Sequence, residues 1–312
     1  MSSENKPKLV IVLGPTAVGK SRLGIEVARR IGAEIVNADS LQVYKYLDIG
    51  TAKPNEADRE GIPHHLVDIV NPDEEYNAGI YTKTARPLIA ELHRKSAKII
   101  VVGGTYLYVR VLLHGIVEKI PADREIRHQL RRLKSVFGIV YLYEKLKSLD
   151  PDSAYRIHRN DYVRIERALE AYYLTGEKMS QLQEKHGFKE NEYDVLKIGL
   201  SAEREVLRKR IDERVNKMME EGLPDEVKKL RRMGFGRDLK PMQSIGYKQM
   251  NQYLDGEITL ERALELIKRD TKRLAKRQMT WLRQDKDIHW YQLPEDRDRL
   301  MKEVETFYGV ES

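Results

Sequence analysis

The chain has 312 residues, of which 41% are hydrophobic and 34% charged, a balance that is typical of globular proteins with one large domain or two. The absence of cysteine excludes disulfides, thiolate zinc sites and thiol nucleophiles. No apolar run could span a bilayer and residues 1–8 lack the apolar segment of a secretory signal, so we expect a cytoplasmic protein without a membrane partner. The net charge of +7 suits a polyanionic partner, but it also serves solubility.

The first hundred residues and two later segments carry the signals of an α/β protein. Short β-branched and apolar runs predict buried strands, and apolar residues at helical spacing predict helices between them. The predicted strands are residues 8–13, 34–38, 97–102, 193–200 and 288–292, and the predicted helices of this part are residues 20–31 and 86–94. Strands that alternate with helices predict a parallel sheet with right-handed crossovers.

The middle of the chain differs from both ends, because it has helical periodicity and no convincing strand. Asn160-Asp161 can cap a helix that Thr175-Gly176 would end. Since strand signals resume near Tyr193, we predict a helical insertion in an α/β fold. The core would comprise residues 1–120 and 191–312, and the all-helical domain residues 121–190.

A long basic helix is predicted near the C-terminus, at residues 259–283. Its apolar residues keep helical spacing, while lysine and arginine crowd the other faces. The basic residues are Lys268, Arg269, Lys272, Arg273, Lys276 and Arg277. Such a set is more often a solvated face, but in a chain that binds RNA it would contact phosphates.

A phosphate-binding motif lies directly between the first strand and the first helix. It reads Gly14-Pro15-Thr16-Ala17-Val18-Gly19-Lys20-Ser21 and matches G-x-x-x-x-G-K-S/T. In such a loop the backbone N–H groups and the helix N-terminus hold phosphates, the lysine bridges phosphate oxygens, and the Ser21 hydroxyl can hold Mg²⁺. We therefore predict a P-loop NTPase-like parallel sheet, flanked by helices, that binds a diphosphate or triphosphate with Mg²⁺.

The motif alone does not define the reaction. Nucleotide hydrolases place an acidic residue after a second apolar strand, but here the strand at residues 97–102 ends in Gly103-Gly104-Thr105. The acid is instead Asp39, after the strand at residues 34–38. Because ligands lie beyond the carboxyl ends of parallel strands, Asp39 and Thr105 should both face the phosphates. A general base fits this position, although Asp39 could instead cap a turn with Ser40.

A series of short motifs stands along nearly the whole chain, at residues 38–44, 48–54, 63–68, 103–105, 160–161, 164, 167–170, 246–249 and 274–281. Together, and in this order, these motifs resemble the bacterial tRNA dimethylallyltransferase (isopentenyltransferase) family. Tyr106 departs from the family pattern, which has glycine at this position. If that glycine required positive φ, the local backbone must differ in this chain.

The resemblance implies that the loop holds the diphosphate of dimethylallyl diphosphate. The acceptor would be N6 of the adenosine immediately 3′ of the anticodon, position 37 of a tRNA. Asp39 would be the general base, Thr105 would bind the bridging oxygen of the leaving pyrophosphate, and Arg214 with Lys20 and Mg²⁺ would neutralise its charge. We expect a monomer that binds the anticodon stem-loop.

The resemblance also implies a set of tRNA-contacting residues. They are Asp39, Ser40, Leu41, Gln42, Thr105, Arg127, Val163, Arg164, Ile165, Glu166, Arg167, Gln243, Ser244, Ile245, Gly246, Tyr247 and Lys248. Arginines on one helical face can grip phosphates or stack on splayed bases, although a solvated helix has the same pattern.

Three other functions are compatible with parts of this pattern. A P-loop small-molecule kinase shares the loop and an acid after the second strand, but does not explain the basic C-terminal helices. An isopentenyltransferase for free AMP or ADP needs no surface for an anticodon stem. A nucleotide-binding RNA partner without catalysis leaves the grouping of Asp39, Thr105 and Lys20 unexplained.

Overall fold

The computed structural model describes residues 6–117, 122–188, 190 and 192–310. In these residues six parallel strands form one sheet in the order β3-β2-β4-β1-β5-β6. The strands are β1 (Lys8–Leu13), β2 (Ala33–Asn37), β3 (His64–His65), β4 (Lys98–Val102), β5 (Asp194–Ser201) and β6 (Ile288–Gln292). The central strand β1 is buried from its second residue onward, as expected of a parallel strand covered by helices on both faces.

Twelve helices accompany the sheet in the described residues. They are α1 (Lys20–Ile31), α2 (Ala78–Arg94), α3 (Tyr106–His114), α4 (Arg124–Leu149), α5 (Pro151–Arg156), α6 (Tyr162–Thr175), α7 (Met179–His186), α8 (Arg204–Glu220), α9 (Leu223–Arg232), α10 (Tyr247–Leu254), α11 (Leu260–Leu282) and α12 (Arg297–Tyr308). The predicted fold class, a P-loop NTPase-like parallel sheet flanked by helices and carrying a helical insertion, is confirmed. None of the described helices is both long enough and apolar enough to cross a membrane.

The chain forms two compact units. The α/β unit comprises Met1–Leu113 and Asn191–Ser312, and the helical unit comprises His114–Glu190. In the α/β unit the sheet packs with α1 and α12 around a core that includes Val10, Val27 and Ile198. In the helical unit, Leu142 of α4 and Leu169 of α6 belong to a separate core.

Helix α2 begins eight residues before the predicted helix at residues 86–94. The Asn77 side chain caps its true start by accepting hydrogen bonds from the backbone N–H groups of Gly79 and Ile80, at 3.0 and 3.1 Å. Pro87 therefore lies inside the helix, where it removes one backbone donor. Burial of Tyr81, Ala85 and Ile89 on the same helix stabilises it in spite of that loss.

Candidate active site

The P-loop connects β1 to α1 as predicted. Gly19, at its end, has a φ of 109°, a value that side-chain-bearing residues rarely adopt. Among the described residues no side chain caps α1, and its first turn contains no acidic residue. The free N–H groups and the positive end of the helix dipole therefore favour an anion at this position.

A cavity of about 60 Å³ lies beside this helix N-terminus. It is lined by Lys20, Ser21, Ile35, Asn37, Asp39, Gln42, Thr51, Pro54, His64, Val67, Val102, Gly103, Gly104 and Arg214. A wider groove of about 940 Å³ shares Lys20, Ser21, Pro54 and Arg214 with it. The cavity thus contains three of the four predicted catalytic residues, namely Asp39, Lys20 and Arg214. Thr105 follows Gly104 in the chain.

The two oxygens of Asp39 have different surroundings. Oδ1 accepts hydrogen bonds from the backbone N–H groups of Leu41 and Gln42, at 2.9 and 3.4 Å. Oδ2 faces the cavity, because a methyl group built on Gly104 would lie 3.7 Å from Oδ2 and 3.8 Å from the Lys20 ammonium. One oxygen caps a turn, and the other remains directed at the cavity.

Two buried cations face the Asp39 carboxylate. Burial lowers the pKa of Lys20 from 10.5 to about 8; Asp39 counteracts part of this change, and Arg214 adds to it. Burial also lowers the pKa of Arg214, and Asp39 again opposes the change. Lys20 donates a hydrogen bond to the carbonyl of Pro15 at 2.8 Å, and Arg214 donates to that of Thr51 at 3.2 Å. Two desolvated cations held beside one carboxylate favour the binding of an anion with several charges.

Thr105 is held against the end of β2 by a close backbone contact. A side chain at Gly103 would come within 2.1 Å of the Ala38 carbonyl oxygen, so only glycine fits. The Thr105 hydroxyl oxygen accepts from the Ser40 N–H at 3.0 Å, and its hydrogen is directed to Ser40 Oγ at 3.2 Å. The oxygen is therefore fixed in place, whereas its O–H can rotate to donate to a ligand.

Tyr106 does not distort the backbone next to Thr105. It is the first residue of α3 and does not have a positive φ, so this position does not require glycine here. Its hydroxyl donates to Asp285 at 2.9 Å, and Asp285 also accepts from the buried Lys197 at 2.9 Å. The hydrogen bond of Tyr106 thus connects the start of α3 to the segment after α11.

Gln278 joins the two loops of the site, a role that sequence reasoning did not predict. Its Oε1 accepts from the Thr16 N–H at 2.8 Å, and its Nε2 donates to the Gly104 carbonyl at 3.0 Å. Thr16 and Gln278 are 262 positions apart, so no local pattern could indicate the contact.

Glu226 is a second residue that sequence reasoning missed. Its carboxylate accepts from the backbone N–H groups of residues 48–50, at 2.7 to 3.2 Å, and from the Tyr247 hydroxyl at 2.6 Å. These contacts fix the turn whose Thr51 carbonyl binds Arg214. Tyr247 itself is fully buried, which corrects its expected role as an RNA contact, because its side chain instead supports this turn.

The remaining RNA-contact candidates of the α/β unit lie in two places. Asp39, Ser40, Leu41 and Gln42 are half-buried at or next to the cavity, and Thr105 adjoins them. Gln243 and Lys248 are exposed, Ser244 and Ile245 are half-buried, and Gly246 is buried where its N–H donates to Gln249.

The basic residues on α11 differ in their surroundings. Arg269 and Arg273 pair with Asp270, Lys272 pairs with Asp212, and Lys276 and Arg277 are exposed.

In the helical unit a fully buried carboxylate organises two of the candidate arginines. Glu170 accepts from Arg127 at 2.7 and 3.1 Å and from Arg167 at 2.6 Å. Val163 and Arg164 are exposed, and Glu166 is half-buried and accepts from the Tyr162 hydroxyl. Ile165 is fully buried, so its side chain belongs to the core rather than to an RNA-contacting surface, which corrects that expectation.

We expect Glu170→Gln to destabilise the helical unit by about 1–3 kcal/mol, because two arginines lose a charged hydrogen-bond acceptor. Amide hydrogen exchange in α4 and α6 measures the loss of stability. Glu177→Gln is the matched control, since Glu177 is exposed and its ion pair with Lys185 contributes little. Equal exchange rates in the two variants would contradict the assigned role of Glu170.

Known proteins match this chain over most of its length. The IPP transferase family model matches residues 42–285. A tRNA dimethylallyltransferase 2 from Geotalea daltonii is 47% identical over 308 residues, which cover 99% of this chain and 94% of the relative. A tRNA dimethylallyltransferase from Geobacter metallireducens is 46% identical, also over 308 residues, covering 99% of this chain and the whole relative.

Two solved structures share the fold. The crystal structure of the full-length tRNA isopentenylpyrophosphate transferase from Bacillus halodurans has a TM-score of 0.72 at 42% identity, and the match covers 97% of this chain and 96% of that one. A eukaryotic dimethylallyltransferase acting on tRNA has a TM-score of 0.77 at 32% identity, and the match covers 91% of this chain and 73% of that one. With the family model matched over more than half of its residues and relatives matched almost end to end, this chain belongs to the IPP transferase family.

Proposed function

We propose that this protein is a tRNA dimethylallyltransferase, which moves the dimethylallyl group from dimethylallyl diphosphate to N6 of the adenosine 3′ of the anticodon. The observation that carries the proposal is the arrangement of Asp39, whose free oxygen faces the same cavity as Lys20, Arg214 and the N-terminus of α1. A base and an anion site are thus combined in one small space. The names of the relatives give tRNA as the molecule acted on and dimethylallyl as the group transferred, and the choice of the adenosine N6 follows from the family resemblance.

The reaction breaks the bond between the allylic carbon and the bridging oxygen and forms a bond from that carbon to N6. Pyrophosphate leaves with the electron pair of the broken bond. An aromatic amine is far too weak an acid to lose a proton beforehand, so Asp39 accepts the proton as the new bond forms. Hydrogen bonds from Leu41 and Gln42 hold Oδ1, which leaves Oδ2 to receive it.

The leaving pyrophosphate gains negative charge as the carbon–oxygen bond breaks. Lys20, Arg214 and the N–H groups at the start of α1 would stabilise that charge. Thr105 would rotate its O–H from Ser40 to the bridging oxygen, while the Ser40 N–H continues to hold its oxygen. Closure of the site around the reactants would keep water from the cation-like allylic carbon.

Mg²⁺ fits the oxygen groups of this site, because Mg²⁺ prefers hard oxygen ligands and often binds through substrate phosphates. Ser21 is exposed at the first turn of α1 and lines the cavity, so its hydroxyl would hold the ion together with diphosphate oxygens. When bound, the ion would neutralise part of the charge on the leaving group.

The adenine must leave the stacked anticodon loop to reach Asp39, so we propose that it is extruded into the cavity. The exposed residues Val163, Arg164, Gln243 and Lys248 are the proposed contacts to the stem-loop. Because phosphate contacts release counterions, tRNA affinity should fall steeply with salt. We also propose that the protein acts in the cytoplasm as a monomer, since one chain supplies every catalytic group.

The test is transfer of label from radiolabelled dimethylallyl diphosphate to unmodified tRNA with an adenine-rich anticodon loop. After digestion to nucleosides, label in N6-(dimethylallyl)adenosine supports the proposal. Label transferred only to free AMP would identify an enzyme for free nucleotides. Phosphoryl transfer from ATP without alkyl transfer would identify a kinase.

Thr105→Val is expected to lower kcat by about 10²-fold, because it removes one donor to the developing charge. The valine keeps the shape of the side chain, so KM for tRNA should stay within about threefold. Thr105→Ser, which restores the hydroxyl, should recover most of the activity. A serine variant as slow as the valine variant would rule out the hydroxyl as the group that acts.

A further inference from the structure

The carboxamide of Gln278 makes two hydrogen bonds at the edge of the active-site cavity. It accepts from the Thr16 N–H of the P-loop at 2.8 Å and donates to the Gly104 carbonyl at 3.0 Å. Both bonds come from one rigid planar group on α11, so they fix the loop and the Gly103-Gly104-Thr105 turn relative to each other.

Thr16 occupies a particular place in the loop. Ser21 lies in the first turn of α1, whereas Thr16 lies at the other end of the loop, closer to β1. Thr16 follows Pro15, whose carbonyl accepts a hydrogen bond from the Lys20 ammonium. A chain of phosphates longer than two extends away from the helix along the loop, and it needs backbone N–H donors there. In this protein the Thr16 N–H is already used by Gln278.

The space at this end of the loop is also restricted. A methyl group built on Gly104 would lie 2.9 Å from Gln278 Nε2, 3.7 Å from Asp39 Oδ2 and 3.8 Å from Lys20 Nζ. The carboxamide, the carboxylate and the ammonium therefore surround one point. The carboxylate and the ammonium carry opposite charges at nearly equal distances from this point, so their fields on a third phosphate largely cancel. The carboxamide, which is the nearest group, is what a third phosphate would have to displace.

We propose that Gln278 sets the selectivity of the P-loop for a diphosphate over a triphosphate. It does so by occupying the donor and the space that a third phosphate would use. The inference rests on the proposed function, in which the loop holds a diphosphate, and it adds the residue that limits the phosphate chain to two groups.

The experiment is calorimetric titration of the full-length protein with inorganic pyrophosphate and with inorganic tripolyphosphate, both in excess Mg²⁺. For Gln278→Ala we expect the ratio of the tripolyphosphate Kd to the pyrophosphate Kd to fall by about tenfold or more, because one N–H donor becomes free for a charged acceptor. Gln284→Ala is the matched control, an exposed glutamine just after α11, and its ratio should not change.

Gln278→Glu provides a second test that keeps the length of the side chain and its bond to Thr16. Its added negative charge should shift the ratio in the opposite direction, by weakening tripolyphosphate binding more than pyrophosphate binding. If both variants lose affinity for pyrophosphate and for tripolyphosphate by the same factor, the inference is overturned and Gln278 has a positioning role only. If the unmodified protein binds no pyrophosphate at all, it is the proposed function that fails.

Discussion

Asp39→Asn should lower the rate of dimethylallyl transfer by about 10²- to 10⁴-fold while leaving tRNA affinity within about threefold. The asparagine oxygen can still accept from the N–H groups of Leu41 and Gln42, so the turn that Asp39 caps should remain. What is lost is the carboxylate oxygen that faces the cavity, which in the proposed mechanism takes the proton from N6. Single-turnover rates and tRNA binding, measured on the same preparations, separate the two effects.

Asp39→Ala is the informative comparison, because it removes the cap as well as the base. We expect it to be as slow as the asparagine variant and less stable, by about 1 kcal/mol for the lost hydrogen bonds. An asparagine variant that keeps more than a tenth of the wild-type rate would show that another group accepts the proton. A parallel loss of tRNA binding would instead assign Asp39 to substrate binding.

Diphosphate binding should weaken as the pH rises above 8. Lys20 has a pKa of about 8 in the ligand-free protein because its ammonium is buried, and it must carry a proton to hold the phosphates. A bound diphosphate raises that pKa again. Affinity should therefore be flat below pH 8 and fall by up to about tenfold per pH unit above it. Calorimetry with a dimethylallyl thiolodiphosphate analogue measures this, since the analogue is already fully ionised near pH 8.

The same pKa links the site to stability. The folded-state pKa of Lys20 lies below its ordinary value of 10.5, so the buried ammonium opposes folding at pH 7, by about 3 kcal/mol, and the penalty disappears as the pH rises from 8 to 10.5. Lys20→Met should therefore unfold at a higher temperature than wild type at pH 7 and bind diphosphate poorly at every pH. If the stability of the Lys20→Met variant still rises as the pH increases above 8, a group other than Lys20 titrates there.

The two predictions are connected through charge. The Asp39 carboxylate keeps the pKa of Lys20 higher than burial alone would make it. Asp39→Asn should consequently move the loss of diphosphate binding to a lower pH. This shift is a direct measurement of how strongly the base and the anion site interact. It is absent if the two groups act independently.

The sequence alone determined the features that lie within one stretch of chain. The strand, loop and helix of the P-loop are contiguous, so their hydrophobic pattern and glycine spacing predicted both the structure and an anion site. Asp39 and Thr105 could be assigned to one edge of the sheet because parallel strands end on the same side. Resemblance to a family added the proposed roles of Arg214 and of the segments expected to contact RNA.

Only the tertiary structure decided which distant groups support the site. Gln278 meets Thr16 across 262 positions, and Glu226 meets the turn at residues 48–50 across the chain. A glutamine or glutamate on an amphipathic helix looks the same in sequence whether it faces solvent or a loop, because periodicity gives the face but not the partner. The structure also shows that Tyr247, which was expected at an RNA-contacting surface, is buried in the core. Burial depends on tertiary contacts that a local sequence pattern does not reveal.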